Sequence, residues 1–199
     1  MTKQENFWSG EFGTHYIERN SILDLDNNKR IFTKMLQKSS NIDEICEFGC
    51  NIGMNLTTLK ELGFTNLTGI EINSQACDIA RKQNFKNIIN ASISENLDIG
   101  YRFDLVFTFG VLIHINPKVI KSTLQNMVKA TKKYILIAEY YSPKLLEVRY
   151  REEDELLFKN DFAGQLINEF DCKLIDYGFF YHLDSTTRAD DINWFLLST

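Results

Sequence analysis

Four residues define the chemistry this chain is equipped for: Glu47, Gly49, Gly53 and Glu71. The apolar-flanked run Glu44-Ile45-Cys46-Glu47-Phe48 leads into two glycines that bracket Cys50-Asn51-Ile52. A second apolar run ends at Gly69-Ile70-Glu71-Ile72, placing another carboxylate about twenty residues on. A strand, a glycine turn, a helix and an acidic strand end, in that order, hold adenosine-containing cofactors in α/β folds. Glycine lets backbone amides approach a ligand with no Cβ in the way. A helix opening near Met54 presents free N–H groups suited to a carboxylate.

The remaining contacts follow from that placement. Glu47 is expected to bind an ammonium group, and Glu71 to accept hydrogen bonds from both ribose hydroxyls. Ile72 and Ile93 would pack on the two adenine faces, with Ser92 as partner of the adenine amine. A nicotinamide dinucleotide calls for G-x-G-x-x-G, and Gly49-Cys50-Asn51-Ile52-Gly53 keeps only the outer spacing. The shorter pattern resembles motif I of S-adenosylmethionine enzymes. It is joined by Glu71 and by Phe103-Asp104-Leu105-Val106-Phe107-Thr108-Phe109-Gly110-Val111-Leu112, whose Phe109 and Gly110 close the expected cofactor set. Many enzymes of this kind carry aspartate where Ser92 or its neighbour stands, so the adenine-edge contact differs here.

Elements to position these groups are readable along the chain. Apolar spacing at Ile31, Phe32, Met35 and Leu36 predicts a leading helix over 21–38. Strands are expected at Glu44–Phe48, Leu67–Ile72, Asn87–Ala91, Phe103–Phe109 and Tyr134–Tyr140. Between them run helices: one carrying Leu56, Leu59 and Leu62 and stopping at Gly63, and one capped by Ser74 with Ala76, Ile79 and Ala80 inward. Asn116-Pro117 reads as the cap and first residue of a helix with Ile120, Leu124, Met127 and Val128 buried. A helix over Asp161–Glu169 precedes two apolar runs, Lys173–Tyr181 and Ile192–Leu197, whose short connection requires antiparallel pairing. The alternation predicts a mostly parallel seven-stranded sheet with helices on both faces and a C-terminal antiparallel hairpin. That arrangement resembles the class I methyltransferase fold, which is Rossmann-like.

Composition narrows the partners. With 199 residues the chain suits one domain, read as an N-terminal helical cap over 1–40 and a cofactor-binding domain over 41–199. The formal charge of −5 argues against a nucleic-acid surface, which needs a basic face. No apolar stretch approaches the ~20 residues of a membrane span, and the opening residues lead to no apolar h-region, so a cytoplasmic protein is expected. Cys46, Cys50, Cys77 and Cys172 form no CxxC pair, so reduced thiols and no metal are expected.

Beyond the cofactor motifs, the chain resembles the methylases associated with pseudaminic acid biosynthesis. The likeness is carried by Phe7-Trp8-Ser9-Gly10-Glu11-Phe12-Gly13-Thr14-His15-Tyr16-Ile17-Glu18-Arg19-Asn20 and by Ala138-Glu139-Tyr140-Tyr141-Ser142-Pro143. It continues in Leu157-Phe158-Lys159-Asn160-Asp161-Phe162-Ala163, Asp176-Tyr177-Gly178-Phe179 and Asp190-Asp191-Ile192-Asn193-Trp194-Phe195-Leu196. It implies a bacterial enzyme of nonulosonic-acid or related surface-sugar pathways. Tyr150-Arg151-Glu152-Glu153 and Lys159-Asn160-Asp161 depart from that family's Tyr-Arg-Gly-His and Lys-Arg-Asp, each change making the region less positive.

Trp8, Phe12 and Tyr16 offer a large apolar area and Arg19 a bidentate cation, so the segment is expected to fold over the cofactor, with Tyr16 or Arg19 reaching its carboxylate. Methyl transfer is an in-line displacement at a sulfonium, in which positioning supplies most of the rate and a base serves a protonated acceptor. His114, just after the fourth strand, is the candidate catalytic residue. Tyr140 and Tyr141 at the carboxyl end of the fifth strand, with Arg151, Lys159 and His182, are the expected substrate contacts, the two cations suiting a carboxylate or phosphate. The expected reaction is methylation of a hydroxyl or amine on a small polar metabolite, best a nonulosonic acid, with S-adenosylhomocysteine as product. A phosphonate or amino-acid derivative, or a non-catalytic cofactor-binding partner of a sugar-pathway enzyme, are the competing readings. A monomer or homodimer is expected.

Overall fold

The computed structural model describes residues 1–19, 22–97, 99–151 and 153–199. Helices α1 (Lys3–Ser9), α2 (Glu11–Arg19) and α3 (Leu25–Leu36) precede the sheet. Then come β1 (Glu44–Phe48), α4 (Met54–Glu61), β2 (Asn66–Glu71), α5 (Ser74–Arg81), β3 (Asn87–Asn90) and β4 (Phe103–Phe109). After a 3₁₀ turn at Leu112–His114 follow α6 (Ile120–Ala130), β5 (Thr131–Glu139), β6 (Leu146–Tyr150), β7 (Glu153–Lys159), α7 (Phe162–Phe170), β8 (Lys173–Phe180) and β9 (Ile192–Ser198).

Seven strands form one sheet in the order β3-β2-β1-β4-β5-β9-β8. The pairs from β3 to β5 are parallel, while β5–β9 and β8–β9 are antiparallel. This is the class I methyltransferase architecture. Parallel neighbours need crossovers, and α4, α5 and α6 provide them. The strand order reverses between β1 and β4, which opens a crevice beyond their carboxyl ends. The centre of the sheet is dry on both faces: Phe103, Leu105, Val106 and Phe107 of β4 are all fully buried. Phe32 and Met35 of α3 cover one face; Leu124 and Met127 of α6 and Leu166 of α7 cover the other. Each such side chain contributes about 1.5–3 kcal/mol of burial free energy, so the strand ends sit on a rigid base.

Some local expectations are corrected. The leading helix starts at Leu25, capped by Asp24, whose carboxylate accepts the Asn27 amide at 3.1 Å; Ser21 lies outside the described residues. Asn73, not Ser74, caps α5, because its Oδ1 reaches the amides of Gln75 and Ala76. Ile79 is 36% exposed, and Cys77 takes the inward place on that helix. Asn116 accepts the Lys118 amide at 2.9 Å in a turn, so α6 begins only at Ile120 and Pro117 stays outside it. The largest addition is the β6–β7 hairpin, paired antiparallel apart from the main sheet, in a stretch where the sequence reading places no element.

Candidate active site

The crevice at the strand reversal is a cleft of about 420 Å³. Among its lining residues are Tyr16, Arg19, Glu47, Gly49, Asn51, Met54, Glu71, Ile72, Ser92, Ile93, Phe109, Gly110 and His114. Gly53 lies behind the wall as the residue before α4, and Tyr140, Tyr141, Arg151, Lys159 and His182 stand outside the cleft proper.

The loop after β1 is built by left-handed backbone. Gly49 (φ 79°) and Gly53 (φ 83°) both adopt it, and a Cβ on Gly49 would come within 2.7 Å of both Val111 methyl carbons. The amides of Gly49 and Cys50 both donate to the Ile70 carbonyl, at 2.8 and 3.0 Å, and the Gly53 amide donates to Cys50. The expectation that the glycine amides face the ligand is thereby corrected: the turn uses them to fasten itself to β2. Helix α4 has no side-chain cap, so its first-turn amides are the donors available for a carboxylate.

Glu47 is 1% exposed. Its Oε1 accepts from Asn55 Nδ2 at 2.7 Å, and its Oε2 has no partner among the described residues. Burial pushes its carboxyl up to about 8, the Asn55 bond partly opposes this, and the nearby Glu71 charge adds to it. A buried carboxylate oxygen without a donor is costly unless a ligand supplies one. An ammonium group meets that need. Glu71 also is raised by burial, against the amides of Asn73 (2.7 Å) and Asn51 (2.8 Å), which donate to its two oxygens and fix the carboxylate at the end of β2. Each oxygen keeps a further lone pair, which suits a vicinal diol. The cleft therefore fits an adenosyl ligand with an amino-acid tail.

Helices α1 and α2 roof this cleft. Ser92, which lines the cleft, donates to Glu5 Oε1 at 2.5 Å and accepts the Ser94 amide at 3.1 Å, so its hydroxyl is tied to α1. Asn73 Nδ2 donates to the Trp8 carbonyl at 3.1 Å, and Asn116 Nδ2 to Gln4 Oε1 at 2.9 Å. Gln4 in turn donates to the Glu155 carbonyl at 2.6 Å, joining the roof to the β6–β7 hairpin. Glu5, Gln4, Asn55 and Asn73 are not singled out by the sequence and Asn116 reads there only as a helix cap, since a lone amide or acid beside a helix carries no signature of a cleft contact.

Under the roof, Trp8, His114 and Tyr150 form a continuous aromatic wall. Trp8 lies 4.7 Å from the His114 ring and His114 lies 4.9 Å from Tyr150, centroid to centroid. Tyr16 stands edge-on to Trp8 at 5.2 Å. His114 Nδ1 is 2.7 Å from the Leu156 carbonyl, which only accepts, so Nδ1 carries the proton and Nε2 the lone pair. Burial holds this ring down at about 4, partly offset by that carbonyl, so it is neutral at physiological pH. Glu139 at the end of β5 accepts the amides of Val111 and Leu112 at 3.0 Å each and so pins the turn that bears His114. Burial raises Glu139 to about 7, against those amides. His182 sits on the outer surface, its Nδ1 2.9 Å from Asp191.

Among the described residues no helix is long and apolar enough to cross a membrane, and no group of His, Cys, Asp or Glu side chains is placed to hold a metal.

Residues 46–133 match a methyltransferase domain family. Among curated proteins no match is found. Solved structures with the same fold include an S-adenosylmethionine-dependent methyltransferase from Leishmania major, at TM-score 0.73 and 17% identity over 98% of this chain and 81% of that one. Magnesium protoporphyrin IX methyltransferase from Synechocystis, with S-adenosylmethionine bound, superposes at 0.68 with 11% identity over 100% and 98%. An amino pentose methyltransferase from Micromonospora echinaspora, also with the cofactor bound, gives 0.66 with 11% identity over 94% and 96%. The matched segment contains Glu47, Gly49, Glu71 and His114, and the fold is shared with a structure that holds S-adenosylmethionine.

Proposed function

We propose that this methyltransferase transfers the methyl group of S-adenosylmethionine to a hydroxyl or amine of a small polar metabolite, a nonulosonic acid or related surface-polysaccharide sugar being the best candidate. When bound, the cofactor supplies a methyl group activated by its sulfonium. Glu47 would hold the ammonium, the first turn of α4 from Met54 the carboxylate, and Glu71 the ribose, with Ile72 and Ile93 against adenine. Tyr16 and Arg19 close over the tail from α2. Phe109 and Gly110 form the floor where β4 ends.

The observation that carries the reading is His114: a neutral imidazole in the cleft wall, its Nδ1 proton fixed on Leu156 and its Nε2 lone pair unused by that bond. In that tautomer Nε2 accepts the proton an acceptor hydroxyl or amine must lose. Trp8, Tyr16 and Tyr150 exclude water around it, and Glu139 keeps its turn in place. The pseudaminic-acid resemblance and the small roofed cleft support a metabolite over a polymer. The test is release of S-adenosylhomocysteine with a panel of nonulosonic acids, their nucleotide-activated forms, phosphonates and amino-acid derivatives. Turnover confined to the last two classes would move the acceptor away from sugars.

A further inference from the structure

Beside the aromatic wall stand three cations: Arg19, which also borders the cofactor cleft, and Arg151 and Lys159, which the cofactor contacts leave without a role. Each lies across an aromatic ring. Arg19 Cζ is 5.1 Å from the Phe12 centroid, Arg151 Cζ 5.7 Å from that of Tyr150, and Lys159 Nζ 5.1 Å from that of Tyr140. They come from three different elements: α2, the turn between β6 and β7, and the end of β7.

The supporting rings belong together. Phe12 and Tyr150 are 6.2 Å apart, and Tyr150 touches His114. Tyr16 lies within electrostatic reach of Tyr150, Arg151 and Arg19, and Tyr140 within reach of both Tyr16 and Tyr150. Among the described residues none of the three cations forms an ion pair, so no carboxylate neutralises them in place. Among the described residues the acids facing the set include Asp190, exposed, Asp191, which bonds His182, and Glu139 beside Tyr140. Arg151 also sits at φ 50°, in the left-handed backbone at the turn after β6. Cations laid on rings keep their direction, and Arg guanidinium matches an oxyanion bidentately.

We infer that Arg19, Arg151 and Lys159 form a subsite for an anionic group of the acceptor, a carboxylate or phosphate, held beyond His114 while another part of the molecule is methylated. This rests on the proposed reading of the cleft as a methyl-transfer site and adds to it the charge of the substrate. The anion fixes the acceptor's far end; the aromatic wall receives the near one. Arg19 also borders the cofactor cleft, so Arg151 and Lys159 are the residues that test the subsite alone.

The experiment is ligand-observed NMR on the full chain loaded with S-adenosylhomocysteine, at constant ionic strength. Inorganic phosphate is one probe; N-acetylneuraminate and its uncharged methyl ester are the others. Phosphate or the free acid should bind, the ester should not, and Arg151→Gln or Lys159→Gln should weaken binding about ten-fold. The charge-keeping Arg151→Lys should retain most of it. Preference for phosphate or for the sugar acid then identifies which anion the subsite takes. No binding of either anion, ester binding equal to acid, or unchanged binding in both neutral variants would overturn the inference. Cofactor-product affinity, measured on the same samples, separates the two readings: its absence in the unsubstituted chain would remove the methyl-transfer assignment, while its persistence without anion binding would remove only the subsite.

Discussion

Ser92 donates a hydrogen bond to Glu5 across 87 positions of sequence, tying the first helix to the cleft-lining loop after β3. The same carboxylate accepts the Thr2 amide at 2.6 Å, so α1 is fastened at its own start as well. Burial alone would raise Glu5; the Ser92 and Thr2 bonds reverse that and leave it below the ordinary range. Ser92→Ala removes one donor from a buried acid at a cost of about 1–3 kcal/mol. Stopped-flow displacement should show S-adenosylhomocysteine leaving several-fold faster, because the roof opens more often.

Glu47 makes cofactor binding pH-dependent. Its carboxyl is raised from 4.5 to about 8, so the empty protein holds a proton there that the unfolded chain has lost. That contribution to stability is complete below 4.5 and is lost as pH rises to about 8. A ligand ammonium favours the ionised form, so binding releases a proton. Calorimetry in buffers of different ionisation heats should detect the release at pH 7. Affinity should rise with pH and level off above about 8, and Glu47→Gln should flatten the dependence.

Gly49 has no room for a side chain. Alanine there combines a left-handed φ of 79° with a Cβ 2.7 Å from the Val111 methyls. The expected loss is about 1–3 kcal/mol from the backbone alone, with a lower melting temperature and weakened cofactor binding as the loop shifts.

His114→Ala should lower kcat by about 10²–10⁴, the range of a lost general base, and leave S-adenosylhomocysteine affinity nearly unchanged. The unsubstituted imidazole is deprotonated above about 4, so this group should produce no fall in kcat between pH 5 and 8. A lone histidine limb near 6.5 in the kcat profile would contradict its burial.

Much of the fold was legible because its signals are local. Phe103–Phe109 is apolar on both faces, as a central parallel strand must be, and β1 and β4 coincide with their expected bounds. The helix expected over Asp161–Glu169 is α7, shifted by one residue, with Asp161 outside it as the cap that accepts the Gly164 amide. What stayed hidden depends on distance or competition. In β6–β7, Glu147, Arg149, Glu153, Asp154 and Glu155 face solvent, so charge masked the strand pattern; only Leu156, Leu157 and Phe158 are buried. Glu152, part of the departure from the resembled family, lies outside the described residues. Asn73 competed with Ser74 for one cap and won because its carbonyl reaches two amides. The roof bonds of Gln4, Glu5 and Asn116 join residues about a hundred positions apart, and no periodicity encodes such a meeting.

The most direct measurement is calorimetric titration of the purified chain with S-adenosylhomocysteine and, in parallel, with NAD, repeated on Glu71→Ala. One equivalent of the thioether should bind, NAD should not, and loss of the Glu71 carboxylate should weaken binding by at least about ten-fold. Saturable uptake of NAD with none of S-adenosylhomocysteine would contradict the account at its root.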